Sequence, residues 1–61
     1  MEQIQIWFAK IKDSHEDYSR KIKLHAISPK NAIKQAQAFC CPGEVLEWVT
    51  DSSGKFIFER I

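Results

Sequence analysis

Apolar and polar residues alternate along most of this chain, interrupted once by a stretch of helical period. Residues 3–12, QIQIWFAKIK, set Ile4, Ile6 and Phe8 on one side of an extended chain and Trp7, Ala9 and Ile11 on the other. That pattern predicts a strand buried on one face and partly on the other. The polar, acidic DSHEDYS that follows reads as a hairpin connection, after which RKIKLHAI alternates cleanly and predicts a second strand. Ile22, Leu24 and Ala26 share one of its faces, and Lys21, Lys23 and His25 share the other.

Ser28 before Pro29 marks a helix start: the hydroxyl caps free N–H groups, and proline suits the first helical position, which needs no donor. The helix is expected over residues 29–40, with Ala32, Ile33, Ala36, Phe39 and Cys40 as its apolar stripe and Pro42 and Gly43 ending it. EVLEWVT and KFIFERI then flank DSSG. A three-residue loop, Ser52 to Gly54, would put Gly54 in the left-handed region and Asp51 opposite Lys55. The whole is an α+β domain, β-β-α-β-β, with one helix on one face of a four-stranded antiparallel sheet. A right-handed crossover from the second strand gives the order 2-1-3-4 and leaves the lysine-rich strand at an edge.

One short helix covers one face of such a sheet, so apolar surface is left over. If Trp48, Phe56 and Phe58 face the helix, strict alternation sends Val45, Val49, Ile57 and Ile61 the other way, and the opposite choice swaps the sets. Either way one face stays partly apolar and open, as a partner, a dimer or a ligand would require.

Composition narrows the classes. A chain of 61 residues fits one domain, residues 1–61, and one this size buries only about 60% of its unfolded surface. The 44% hydrophobic and 28% charged fractions are those of a globular protein. No run approaches the roughly 20 apolar residues of a membrane span, and the N-terminus does not read as a signal peptide. Adjacent Cys40 and Cys41 are poorly placed to bridge each other, which favours a structural thiol and a cytoplasmic setting.

Catalytic chemistry finds little footing, and the expectation is a protein that is not an enzyme and takes no cofactor. His15 and His25 are the only imidazoles, and the cysteines sit on another element. Asp13, His15 and Asp17 could offer donors to a metal, but no second ligand cluster backs them and a solvated loop is expected. Gly43 and Gly54 are both used as punctuation, which leaves no phosphate-cradling loop.

Charge is distributed unevenly. Between Asp17 and Glu44 there is no carboxylate, yet Arg20, Lys21, Lys23, Lys30 and Lys34 place five positive charges there in a chain of net +1. Lys30 stands in the first helical turn, where the macrodipole prefers an acid and an anion would be welcome. Lysines on an edge strand also deter aggregation, an alternative use for Lys21 and Lys23. The stretch as a whole predicts an acidic or phosphate-bearing partner, with Arg20, Lys21, Lys23, His25, Lys30 and Lys34 as the electrostatic contacts and Trp7 as the apolar one. The low net charge favours a protein or nucleoprotein target over bulk nucleic acid.

The two strands, the helix SPKNAIKQAQAF and the hairpin PGEVLEWVTDSSGKFIF together resemble small phage-encoded anti-CRISPR proteins of the compact β-β-α-β-β type. That resemblance implies a non-enzymatic inhibitor in the host cytoplasm, docked on a CRISPR effector, with exposed lysines that block or divert DNA binding. The β-β-α-β portion also looks like small archaeal ribosomal proteins, which meet RNA through more basic surfaces. The sequence therefore predicts an inhibitor docking on a nucleic-acid-handling complex. A direct nucleic-acid-binding module is the alternative, and a structural homodimer the third reading.

Overall fold

The computed structural model describes residues 3–15 and 17–60. Strands β1 (Gln5–Asp13), β2 (Ser19–Ala26), β3 (Glu44–Asp51) and β4 (Phe56–Glu59), with helix α1 (Pro29–Phe39) between β2 and β3, form one antiparallel sheet in the order β2-β1-β3-β4. This is the predicted architecture, and β2 is an edge strand. Each expected element is present, its ends shifted by a residue or two, except that β4 stops at Glu59, short of the expected residue 61. Ile61 lies outside the described residues.

The helix forms where its caps are. Ser28 is extended, and its hydroxyl accepts the Asn31 N–H at 3.1 Å. Replacing Ser28 with Ala is expected to lower stability by about 1 kcal/mol, read as a shift of the urea midpoint at unchanged slope. At the other end the chain leaves the helix at Cys40, whose N–H reaches the Gln37 carbonyl at 3.2 Å. Cys40 packs against the core and Cys41 is exposed, and both thiols are free. Burial pushes the Cys40 thiol above its ordinary pKa.

Ala32 and Ala36 press the helix onto the sheet. They are fully buried with Ala9 of β1, and these small side chains allow close approach. Around them lie Trp7, Ile11, Leu24, Ala26, Leu46 and Val49, all buried, with Ile22, Ile33, Cys40, Ile57 and Phe58 packed at the margin. Phe39, placed on the apolar stripe by its spacing, is instead 51% exposed at the last helical residue.

Two bulges decide which aromatic rings remain uncovered. Between β1 and β3 the pairs Lys10–Trp48 and Ile11–Leu46 leave Glu47 as an extra residue; between β3 and β4 the pairs Val49–Phe58 and Thr50–Phe56 leave Ile57 extra. A bulge reverses the parity of a strand beyond it. Leu46, Val49 and Phe58 therefore fall on the helix side, while Trp48 and Phe56 fall on the open side. Neither arrangement expected from strict alternation survives. At the β3–β4 turn the expected geometry does hold: Gly54 has φ +92°, and the Asp51 carboxylate accepts the Ser53 N–H, the Ser53 hydroxyl and the Lys55 N–H at 2.7–3.0 Å.

Candidate functional site: the open sheet face

Directly paired residues of an antiparallel ladder share a face. The β1–β2 pairs Ile6–His25, Phe8–Lys23, Lys10–Lys21 and Lys12–Ser19 all lie on the side away from α1. On β3 and β4 that side carries Val45, Trp48, Thr50, Phe56 and Glu59. Apolar rings thus occupy the middle of an uncovered face, with cations on β1 and β2. Ile6 is 38% and Phe56 52% exposed, and Phe8 and Trp48 are half-buried.

The Lys21 ammonium holds the centre together. Its Nζ lies 5.5 Å from the Phe8 ring centroid and 5.7 Å from that of Trp48, within cation–π range of both. Trp48 meets Phe56 edge-on, centroids 5.7 Å apart at 87°. Lys21 is also directly opposite Lys10, a like-charge pair that costs stability in a sheet. Among the described residues neither lysine is in an ion pair, and the pair Arg20–Glu44 lies elsewhere. Glu59 stands beside Trp48 on the far strand of this face. Beside the first hairpin, Lys10, Lys12, Asp17, Tyr18, Ser19, Glu47 and Trp48 line an open hollow.

The sequence-derived contact residues are sorted differently by the fold. Lys21, Lys23 and His25 lie together, exposed, on the open face as expected. Trp7 does not join them. It pairs with Leu24 on the helix side, is only 4% exposed, and donates its indole N–H to the Ala26 carbonyl at 3.0 Å, so it is a core residue and not a contact. Arg20 pairs with Ile11 and also points to the helix side, where its Nη2 donates to the Phe39 carbonyl at 2.8 Å and to Glu44 Oε1 at 3.0 Å. Its guanidinium satisfies a free helix-end carbonyl and ties β2 to the start of β3, away from the row of Lys21, Lys23 and His25. Lys30 and Lys34 are exposed beside Ile27, Ser28 and Asn31, on the helix side of the sheet. The five cations of the acid-free stretch therefore do not form one rim.

The site also contains residues that the sequence reading left out. Lys10 and Lys12 extend the basic side, and Phe8, Trp48 and Phe56 take the apolar role expected of Trp7. Phe8 was within reach of the sequence, since its alternation separates it from Trp7, but the hairpin register that sets it opposite Lys23 depends on turn geometry. Trp48 and Phe56 owe their placement to the two bulges, which no residue pattern announced.

Two carboxylates outside the face report on the fold. The Cys41 N–H, bonded to Glu44 Oε1 at 2.8 Å, and the Arg20 guanidinium hold Glu44 below the usual carboxylate pKa; the Ser53 hydroxyl and the Lys55 and Ser53 N–H groups do the same for Asp51. A group whose pKa falls on folding stabilises the fold above its unfolded pKa, about 4, and loses that contribution as pH drops through the depressed folded value. Urea unfolding is therefore expected to show a plateau from neutrality to about pH 5 and a decline below it. The decline should be shallower in Glu44→Gln and in Asp51→Asn.

Asp13 bonds to the His15 N–H at 2.8 Å within the hairpin turn. Among the described residues no three His, Cys, Asp or Glu side chains are grouped as a metal site, and no helix is long and apolar enough to cross a membrane. Comparison with protein-family models, with curated proteins and with solved structures finds no match.

Proposed function

We propose that this protein is a non-enzymatic, cytoplasmic binding module that inhibits a nucleic-acid-handling complex by docking its open sheet face on an acidic protein surface. The observation that carries this reading is the Lys10–Lys21 pair on an uncovered face, with Lys21 set over Phe8 and Trp48 and neither lysine held in an ion pair among the described residues. Such a pair weakens the free protein and gains its value when an anionic group arrives. Aromatic rings at the centre with cations at the margin are the composition of a protein interface. The resemblance to compact anti-CRISPR proteins agrees in class and would make a CRISPR effector the target.

Direct nucleic-acid binding is the second reading, favoured by the same mixture of rings and lysines, since bases stack on aromatic side chains. Two features weigh against it. The rings are already engaged, Trp48 edge-on by Phe56 and both Phe8 and Trp48 by Lys21, and carboxylates stand beside Trp48, Glu59 on β4 and Glu47 in the hollow. Electrophoretic retention of single-stranded DNA and RNA at low salt separates the two. No retention is expected. Retention that weakens linearly with log salt would establish phosphate contact and replace the protein-docking reading with the second one.

A further inference from the structure

Resting on the protein-docking reading, we infer that the partner contributes an extended acidic segment that pairs as a fifth strand along the free edge of β2. The two edges of the sheet are unlike. β4 has four residues and a bulge at Ile57, features that blunt an edge. β2 has eight residues and pairs with β1 without a register break from Ser19 to Ala26, so its outer side is long and regular. A regular edge is a template for main-chain pairing, and side chains at alternate positions supply selectivity.

The side chains of β2 define that selectivity. On the open side Lys21, Lys23 and His25 follow one another at every second residue, all exposed. On the helix side Ile22 is half-buried at the margin of the core. A strand laid against β2 thus meets a row of cations on the open face and, on the other, Ile22 beside an Arg20 already engaged by Glu44, which selects a segment alternating Glu or Asp with Val, Ile or Leu. The cationic face extends inward to Lys10 and Lys12, where Asp17 and Glu47 share a hollow with them, while β2 itself carries no carboxylate from Ser19 to Ala26. Lys21 keeps its ammonium hydrogens for a carboxylate while resting on the rings of Phe8 and Trp48. A second copy of this chain suits the edge poorly, because antiparallel pairing of β2 with itself brings lysine rows together.

The test uses the full chain and a nine-residue capped peptide alternating Glu and Val, observed by amide chemical shifts and fluorescence anisotropy. Shifts are expected along β2, centred on Lys21 to His25. Two further peptides carry N-methyl groups on alternate amides, in either register. One should bind and the other fail, since only one row of amides faces the edge. Lys21→Glu with Lys23→Glu should weaken the Glu peptide about tenfold or more and give preference to a Lys–Val peptide. That reversal also shows that the variant is folded.

Equal binding of both N-methylated peptides, with shifts at Phe8, Trp48 and Phe56, would overturn strand addition and leave docking on the face intact. Failure of the Glu–Val peptide to shift any β2 amide would also overturn it. Binding of single-stranded oligonucleotide in place of the peptide would overturn the docking reading as well. A mass that rises with concentration, together with protected β2 amides, would assign the edge to a second copy and refute the inference.

Discussion

Replacing Trp7 with alanine is expected to unfold the protein, while replacing Trp48 with alanine leaves it folded. Trp7 is 4% exposed between Leu24 and the helix, and truncating a buried tryptophan costs about 3–5 kcal/mol. A chain of this length has roughly 3–9 kcal/mol of total stability, so the loss removes most or all of it. The indole N–H bond to the Ala26 carbonyl adds a second, separable contribution. Trp7→Phe keeps most of the packing and leaves that buried carbonyl without its partner, for a loss of about 1–3 kcal/mol. Trp48 is half-buried on the open face, where it contacts Phe56 and Lys21. Its loss should lower the melting temperature and keep a cooperative transition. Far-UV circular dichroism on heating distinguishes the outcomes: no transition for Trp7→Ala, a sigmoidal one for Trp7→Phe and Trp48→Ala. A cooperative Trp7→Ala melt near the wild-type temperature would contradict the placement of this residue in the core.

The second large effect is expected in binding. Lys21→Glu with Lys23→Glu should weaken attachment to the partner by about a hundredfold, because each reversal turns an attraction into a like-charge contact. Stability should change far less. The variant loses the cation–π contacts of Lys21, worth about 0.5–1 kcal/mol at an exposed site. It gains an opposite-charge pair where Lys10 had faced Lys21. These terms oppose each other, and the melting temperature should stay within about 8 °C of the parent. Lys30→Glu with Lys34→Glu, on the helix side, is the matched control and should leave attachment within about threefold, as expected for exposed charges far from the contact. The isolated variants can be compared by surface plasmon resonance on the purified complex. Equal losses from both double variants would point to long-range attraction and not to a defined face.

The architecture was legible in the sequence because each element carried its own signal. Alternation marked β2, Ser28 and Pro29 marked the helix start, and Gly54 with Asp51 marked the second turn, each a local effect of a few residues. The crossover rule then placed β2 at an edge. The candidate site was only half legible. Lys21, Lys23 and His25 followed from alternation, whereas the position of Trp48 required knowing that Glu47 is an unpaired extra residue. Arg20 was misplaced for a different reason. A cation in a strand reads as a surface charge, and its use in holding the Phe39 carbonyl and Glu44 depends on contacts 19 and 24 residues away. Lys30 and Lys34 were joined to the strand lysines by proximity in sequence, and the sheet lies between them.

The open face as the contact surface is tested most directly by site-specific cross-linking. Benzoylphenylalanine replaces Phe56 on the open face in one preparation and Lys34 on the helix side in another, and each is irradiated in nuclease-treated extract. The expected result is a protein adduct from position 56 alone, belonging to a nucleic-acid-handling complex, reproduced with that purified complex and abolished by Lys21→Glu with Lys23→Glu. Adducts formed only from position 34, or adducts at position 56 that form in untreated extract and are absent after nuclease treatment, would contradict it.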